Sequence, residues 1–350
     1  MKGAQIIMEE KRSYYLDYLR VMATFAVIVL HVAASNWYKA DIHFLEWNIF
    51  NFYDSVVRWP VPVFVMISGV LFLNKKEIPL KKLYSKYIFR IVKAFLFWSF
   101  FYAVIFYEQT GNIVQATENL IKGHFHLWFL FMIAGLYVII PFTKKISESD
   151  FLTKYFLLLA LLFTFLLPQA VKIITIFSEY YGAFAKEVIG HFNFYFVMGF
   201  PGYFLLGYIL SKIEFTKKQE RIIYTLGILG FLVTIIMSVI VSFVSGEASE
   251  IFYSSTTVNV LCESVAVFVF FKKKFNRPSK IIMLLSKYSF GAYLIHAYIL
   301  EEVIKNSLGL NTLSFNPIFS VPVISGLVFI ISFAASAILN NVPFLKKHIV

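Results

Sequence analysis

The first long apolar segment of the chain carries two ionisable residues, Arg20 and His31, whose spacing puts them on one helix face. They are eleven positions apart, which is about 20° beyond three full helical turns and about 16.5 Å along the axis. Asp17 precedes Arg20 by three positions, so an ion pair between them is expected. Each ionisable group near a bilayer centre costs at least about 2.5–3.5 kcal/mol, so each is a candidate functional residue.

The two side chains are of types that can do chemistry or bind a charged ligand. A histidine can act as a general base that removes the proton of a hydroxyl near neutral pH. An arginine keeps its charge and grips phosphate oxygens in a fork geometry. The simpler interpretations are an arginine anchored at the membrane surface and a histidine packed in the interior.

Other polar and aromatic residues in apolar segments are candidates for a second substrate's site or for support of His31. Two prolines follow Arg58 and break helical hydrogen bonding there. The His-x-His pattern that ends at His126 has no Asp, Glu or Cys beside it, so no metal site is predicted. Glu263 and His296 are the candidates for orienting His31. The full set of candidates is Asp17, Arg58, Ser68, His126, Trp128, Glu263, Tyr293 and His296.

The composition predicts an all-α integral membrane protein. Hydrophobic residues make up 59% of the 350-residue chain and charged residues 15%, against roughly 45–50% and about 25% in soluble domains. The apolar runs are continuous and about 20 residues long, which favours helices over barrel strands. The single cysteine excludes a disulfide framework. Ten spans are predicted, at about 14–36, 55–74, 88–107, 126–143, 152–171, 193–211, 222–244, 255–271, 284–304 and 318–340.

The basic residues predict the orientation of these spans. Of the 32 Lys and Arg residues, 24 fall in one alternating set of connecting segments and five in the other. The rule that positive residues stay inside then places both termini in the cytoplasm. Most of the basic residues behind the net charge of +12 are expected to form a cytoplasmic rim beside anionic lipids, and nucleic acid is not an expected partner. The alternative is that some of them, among Lys75, Lys76, Lys81, Lys82 and Lys272–Lys274, draw a polyanionic cytosolic cofactor to the membrane. Cleavage of the first span as a signal peptide is the alternative, which Glu9, Glu10 and Asp17 disfavour.

Four stretches together resemble one protein family. They read LDYLRVMATFAVIVLH at 16–31, VPVFVMISGVLF at 61–72, HLWFL with later Tyr137 and Pro141 in the fourth span, and SFGAYLIH at 289–296. They resemble the acyltransferase family 3 integral membrane proteins, which O-acylate surface polysaccharides and peptidoglycan. The chain is similar to the short, membrane-only members, as a single transmembrane domain over residues 1–350.

The resemblance implies a multi-pass enzyme of the plasma membrane that moves an acyl group, usually acetyl, from cytosolic acyl-CoA to a hydroxyl on the far side. It implies His31 at the reaction centre and Arg20 near CoA. His31 would act as the general base while the acceptor hydroxyl attacks the thioester, and an intermediate in which His31 itself carries the acyl group is the alternative. Acyl-CoA is then a co-substrate, no permanently bound cofactor is expected, and the acceptor is a glycan or a lipid-linked sugar. Acetyl is not distinguished from succinyl, nor is an oligomeric state predicted. The alternatives are an exporter or flippase without transfer activity, which the lack of inverted repeats disfavours, and a sensor.

Overall fold

The computed structural model describes residues 13–350. The protein is 79% helical, and the described residues contain no strand. The predicted all-α membrane class is therefore confirmed. The helices are α1 Tyr15–Trp37, α2 Leu45–Ser55, α3 Pro60–Leu73, α4 Leu80–Thr110, α5 Ile113–Lys122, α6 Trp128–Val138, α7 Ile140–Ser147, α8 Asp150–Phe177, α9 Glu179–Gly190, α10 Pro201–Lys212, α11 Lys217–Ser245, α12 Val258–Lys274, α13 Lys280–Tyr298, α14 Pro317–Leu339 and α15 Pro343–His348. A π-helical segment, Ile299–Ser307, extends α13.

Seven stretches among the described residues are long and apolar enough to cross a membrane. They are Tyr15–Trp37, Leu45–Leu73, Leu80–Thr110, Ile113–Val138, Asp150–Phe177, Lys217–Ser245 and Pro317–Leu339. The other predicted spans coincide with the shorter or less apolar helices α10, α12 and α13. The count of ten spans and the cytoplasmic placement of both ends therefore stay predictions. The three basic residues of the predicted N-terminal tail lie outside the described residues.

Two of the predicted spans do not coincide with single helices of the structure. The span predicted at 193–211 becomes helical only at Pro201, because Asn193 (φ 52°) and Gly199 (φ 80°) have left-handed backbones that a helix does not accept. The span predicted at 126–143 divides at Ile139 into α6 and α7. Pro141 lies in the first turn of α7, where its missing N–H breaks no helical hydrogen bond.

Helix α1 lies at the centre of the bundle. It packs against α2, α3, α12, α13 and α14. Its small residues Ala23 and Ala33 are fully buried, and side chains of this size let neighbouring helices approach closely in a membrane protein. The residues of α1 therefore face the interior of the protein from several sides, so polar side chains on this helix meet protein partners or internal cavities instead of lipid.

Helices α3 and α10 cross in close contact because glycine occupies both sides of the crossing. A Cβ atom on Gly69 would overlap the backbone carbonyl of Phe204, and one on Gly207 would overlap the backbone of Met66. Since the obstructing atoms are backbone, a neighbouring side chain cannot relieve the clash by rotating. This crossing holds α3, with Ser68 beside Gly69, against the interior of the bundle.

Candidate active site

Three cavities adjoin one another beside α1, and we refer to this row of cavities as the path. A basic cleft of about 670 Å³ opens beside the first turns of α1. A narrower apolar waist of about 250 Å³ follows, and then an outer chamber of about 670 Å³. The cleft and the waist share the lining residues Arg20, Ile91, Tyr137 and Phe290, and the waist and the chamber share Phe64, Phe129 and Tyr293.

The basic cleft is lined by cations without a carboxylate side chain among its lining residues. Its basic residues are Arg20, Lys86, Arg90, Lys93, Lys347 and His348. Burial, and then the charges of Lys93 and Lys347, lower the pKa of His348. His348 is therefore neutral near pH 7, and its Nδ1 accepts a hydrogen bond of 3.1 Å from Nζ of Lys93. A cleft of this charge attracts a polyanion.

Asp17 and Ser286 hold Arg20 at the entrance to the waist. Nη1 of Arg20 lies 3.4 Å from Oδ1 of Asp17 and 3.4 Å from Oγ of Ser286, and Ser286 donates a hydrogen bond of 2.7 Å to Asp17. The ion pair expected from the spacing of Asp17 and Arg20 is therefore present. Asp17 is buried, whereas the Arg20 side chain keeps 28% of its surface exposed. The guanidinium is thus oriented from one side and accessible from the cleft.

Apart from Arg20 at one end, the waist is lined by apolar side chains and a few hydroxyl groups. Phe64, Ile67 and Ile133 contribute to its wall. Ser68 lines it as well, but its hydroxyl donates a hydrogen bond of 3.0 Å to the Phe64 carbonyl within α3. Beyond Arg20, the waist suits an uncharged chain, because its apolar wall offers no compensation for a buried charge.

The outer chamber contains His31, and His31 is hydrogen-bonded to His296. Nδ1 of His31 lies 2.7 Å from Nε2 of His296, and the two ring planes are within 9° of parallel. Nδ1 of His296 lies 2.5 Å from the backbone carbonyl oxygen of Tyr293. His31 lines the chamber, whereas His296 is fully buried behind it. Two predicted residues from α1 and α13 therefore form one unit.

His126 lies beside this pair and is fixed by its own contacts. Its Nε2 donates to the Leu294 carbonyl at 3.2 Å, and the hydroxyl of Tyr293 donates to the His126 backbone carbonyl. His126 is fully buried, and its ring centroid lies 5.0 Å from that of His296. His126 and Tyr293 thus form part of the wall that supports the histidine pair.

Arg58 and Trp128 line the same chamber as His31. Arg58 forms an ion pair with the buried Asp54, and its guanidinium lies 3.7 Å from the ring centroid of Tyr253. Trp128 keeps 46% of its surface exposed, and its ring lies 6.1 Å from that of Phe200. The chamber therefore offers an oriented cation and an accessible indole face.

Glu263 lies apart from the path. It is buried between α11 and α12 and hydrogen-bonded to Thr234, and it lines none of the three cavities. Asn259, one turn away on α12, donates to Thr234 at 2.8 Å. Glu263 is therefore a polar link between two helices.

Within residues 13–350, no group of three or more His, Cys, Asp or Glu residues is arranged to hold a metal ion.

Sequence inspection did not select the cationic residues of the cleft apart from Arg20. Lys86, Arg90 and Lys93 follow one another at four- and three-residue spacing near the start of α4, which places them on one helix face. The positive-inside pattern explains these basic residues as markers of membrane orientation. Their spacing alone therefore does not indicate a binding site. Lys347 belongs to the far end of the chain, and only the fold brings it to this cleft.

The fold and the site define a helical integral membrane protein with an internal path from a basic cleft to a histidine pair. The family model described as an acyltransferase domain matches residues 13–337, which is nearly the whole chain. The chain therefore belongs to this family and is an acyltransferase, as its resemblance to family 3 predicted. No curated protein and no solved structure matches the chain.

Proposed function

We propose that this acyltransferase moves an acyl group, in the first instance acetyl, from cytosolic acyl-CoA to a hydroxyl of an extracytoplasmic glycan or lipid-linked sugar. The observation that supports the proposal is the row of three adjoining cavities, because their order matches the order of the three parts of acyl-CoA. The enzyme would reside in the plasma membrane, with the basic cleft toward the cytosol, where basic residues concentrate.

The basic cleft suits the phosphorylated nucleotide of CoA. The phosphates carry several negative charges, and the cleft provides Arg20, Arg90 and Lys93 among its cations. Arginine guanidinium groups bind phosphate oxygens in pairs, and lysines add charge. The cleft volume of about 670 Å³ is in the range typical of small-molecule sites.

The waist suits the pantetheine arm, which is thin and uncharged. Arg20 contributes to the inner end of the waist, and His31 lines the chamber at its outer end. The two residues are about 16.5 Å apart along α1, a length that the extended arm can span. A nucleotide held near Arg20 would then present its thioester close to His31.

The chemical step assigned to His31 is removal of the acceptor's hydroxyl proton. As the imidazole takes that proton, the acceptor oxygen forms a bond to the acyl carbon and the bond from that carbon to sulfur breaks. The protonated imidazole then returns the proton to the departing thiolate, so that no proton is gained or lost overall. General base catalysis of this kind contributes about 10²–10⁴-fold to a rate.

The outer chamber suits the acceptor. The exposed face of Trp128 offers a stacking surface for a sugar ring, since one side of a sugar is largely C–H. Arg58 is held by Asp54 and offers its remaining donors to acceptor oxygens. Water that enters with the acceptor would compete as a nucleophile, and the apolar waist limits that entry from the cleft side.

The test uses the purified full-length protein in lipid vesicles with radiolabelled acetyl-CoA and a cell-envelope glycan fraction. His31→Ala is expected to lower kcat by at least about 100-fold, and Arg20→Ala to raise KM for acetyl-CoA with a smaller change in kcat. His43→Ala, which replaces an exposed loop histidine, is the matched control. Full activity of His31→Ala, or no label transfer by the wild-type protein, would refute the proposed function.

A further inference from the structure

The hydrogen bond between His31 and His296 has a direction that the surrounding atoms determine. Nδ1 of His296 lies 2.5 Å from the Tyr293 carbonyl oxygen. A carbonyl oxygen can only accept a hydrogen bond, so Nδ1 of His296 carries a proton. In a neutral imidazole the other nitrogen is then an acceptor. Nε2 of His296 therefore accepts, and Nδ1 of His31, at 2.7 Å, donates.

The two other arrangements are unfavourable. Reversal of the bond would leave an unprotonated Nδ1 of His296 facing the lone pairs of the Tyr293 carbonyl. A doubly protonated His296 would be a cation with 0% exposure, and no carboxylate forms an ion pair with it among the described residues. A buried charge without a partner is costly in a protein interior. The neutral chain from His31 through His296 to the Tyr293 carbonyl gives both ring nitrogens of His296 and Nδ1 of His31 a hydrogen-bond partner.

The direction of this hydrogen bond determines which nitrogen of His31 is unprotonated, namely Nε2. Because Nδ1 holds the proton of the neutral ring, Nε2 carries the lone pair. This atom makes no hydrogen bond within residues 13–350 and is not among the enclosed polar atoms of the protein. His31 lines the outer chamber, whereas His296 does not. The basic nitrogen of the pair is thus the one that a hydroxyl in the chamber can reach.

We infer that His296 is a positioning residue that holds His31 in the tautomer with an unprotonated Nε2, and that acyl transfer depends on it. This inference rests on the proposed function of His31 as the base. His296 would act as the carboxylate does in a Ser-His-Asp triad, where a partner that imposes the wrong tautomer lowers kcat by about 10⁴-fold. A neutral partner performs this role without placing a further charge inside the membrane.

The test compares His296→Gln with His296→Asn. The side-chain oxygen of glutamine reaches about as far as Nε2 of histidine and can accept from Nδ1 of His31. Asparagine is shorter and reaches only about as far as Nδ1 of the original histidine, so it cannot accept the hydrogen bond from His31. We expect His296→Gln to keep kcat within about tenfold of the wild type, and His296→Asn to lose about 100-fold or more, with KM for acetyl-CoA unchanged in both. Thermal melting of each variant establishes that it is folded.

Nitrogen NMR of protein labelled with ¹⁵N-histidine reports the tautomer without any need for activity. The wild-type protein should show an unprotonated Nε2 for His31, assigned by its loss in His31→Ala, and His296→Asn should shift that signal toward a protonated nitrogen. Equal kcat for folded Asn and Gln variants, a change confined to KM, or a protonated Nε2 in the wild type would each overturn the inference. A wild-type protein with the expected NMR signal but no acetyl transfer would refute the proposed function and leave the tautomer assignment standing.

Discussion

Nδ1 of His31 and Nε2 of His296 lie 2.7 Å apart, although 265 positions separate the two residues in the chain. The contact joins the central helix α1 to α13 at the wall of the outer chamber. It converts two isolated intramembrane histidines into one unit with a defined polarity, and it leaves a single accessible nitrogen. The structural role of the neighbouring polar residues can be tested in the same way, by changing one partner of each contact.

Removal of the negative charge of Asp17 should weaken the orientation of the Arg20 guanidinium. Asp17→Asn retains a side chain of the same shape but weakens the contact with Nη1 of Arg20. Because Arg20 would then be less well oriented for phosphate, we expect KM for acetyl-CoA to rise about three- to tenfold with little change in kcat. Steady-state kinetics at several acetyl-CoA concentrations measure this effect. Glu46→Gln, at an exposed position on α2, is the control, and an unchanged KM in Asp17→Asn would contradict the assignment.

Arg90 should contribute to the binding of the nucleotide. Arg90→Ala removes a cation from the wall of the basic cleft, and a hydrogen bond to a charged group is worth about 1.5–3 kcal/mol. We therefore expect KM for acetyl-CoA to rise about 10-fold or more. The comparison of CoA with dephospho-CoA as competing inhibitors shows whether Arg90 contacts the 3′-phosphate. Lys81→Ala changes an exposed cation on the same helix that does not line the cleft, and an equal effect there would indicate a general charge effect instead.

Gly69 should tolerate no larger residue. Gly69→Ala places a Cβ atom against the backbone carbonyl of Phe204, so α3 and α10 must separate. Overpacking of this kind costs about 1–3 kcal/mol, and we expect a lower melting temperature in detergent together with reduced activity. Gly326→Ala is the matched control, because a Cβ atom there meets nothing within 4 Å on α14. Equal melting temperatures for the two variants would show that the α3–α10 crossing is not close.

Arg58 and Asp54 should stabilise the protein only when both charges are present. The Asp54 side chain is 1% exposed, and its oxygens have no other partner in the described part of the chain. Arg58→Leu alone leaves a buried carboxylate without compensation, which costs about 3–5 kcal/mol. The double variant with Asp54→Leu should recover most of that loss, as measured by thermal melting. A double variant no more stable than Arg58→Leu would contradict this role.

Glu263 should be dispensable for catalysis. Glu263→Gln keeps a hydrogen-bonding side chain of the same size beside Thr234, and the residue lines no part of the path. We expect kcat and KM for acetyl-CoA to stay within about twofold of the wild type. Initial rates at saturating and limiting acetyl-CoA measure both values. A loss of more than about tenfold in kcat with an unchanged melting temperature would show that Glu263 takes part in catalysis.

Much of the site could be predicted because it follows from spacing within one helix. The shared face of Arg20 and His31 and the ion pair with Asp17 depend only on helical periodicity. The breaks at Ile139 and before Pro201 were missed, because an apolar run does not reveal a left-handed backbone at Asn193 or Gly199. Arg90 and Lys347 were missed because their charges were already explained by membrane orientation.

Composition, motifs and local periodicity are sufficient to identify a helical membrane protein of an acyltransferase family and to place Arg20 and His31 on one helix face. The partnership of His31 with His296, the meeting of Lys347 and Arg90 at one cleft, and the position of Glu263 away from the path follow only from the packing of the helices. In a membrane, helices are apolar on nearly every side, so their patterns do not specify rotation or depth, and packing alone decides which buried polar groups meet.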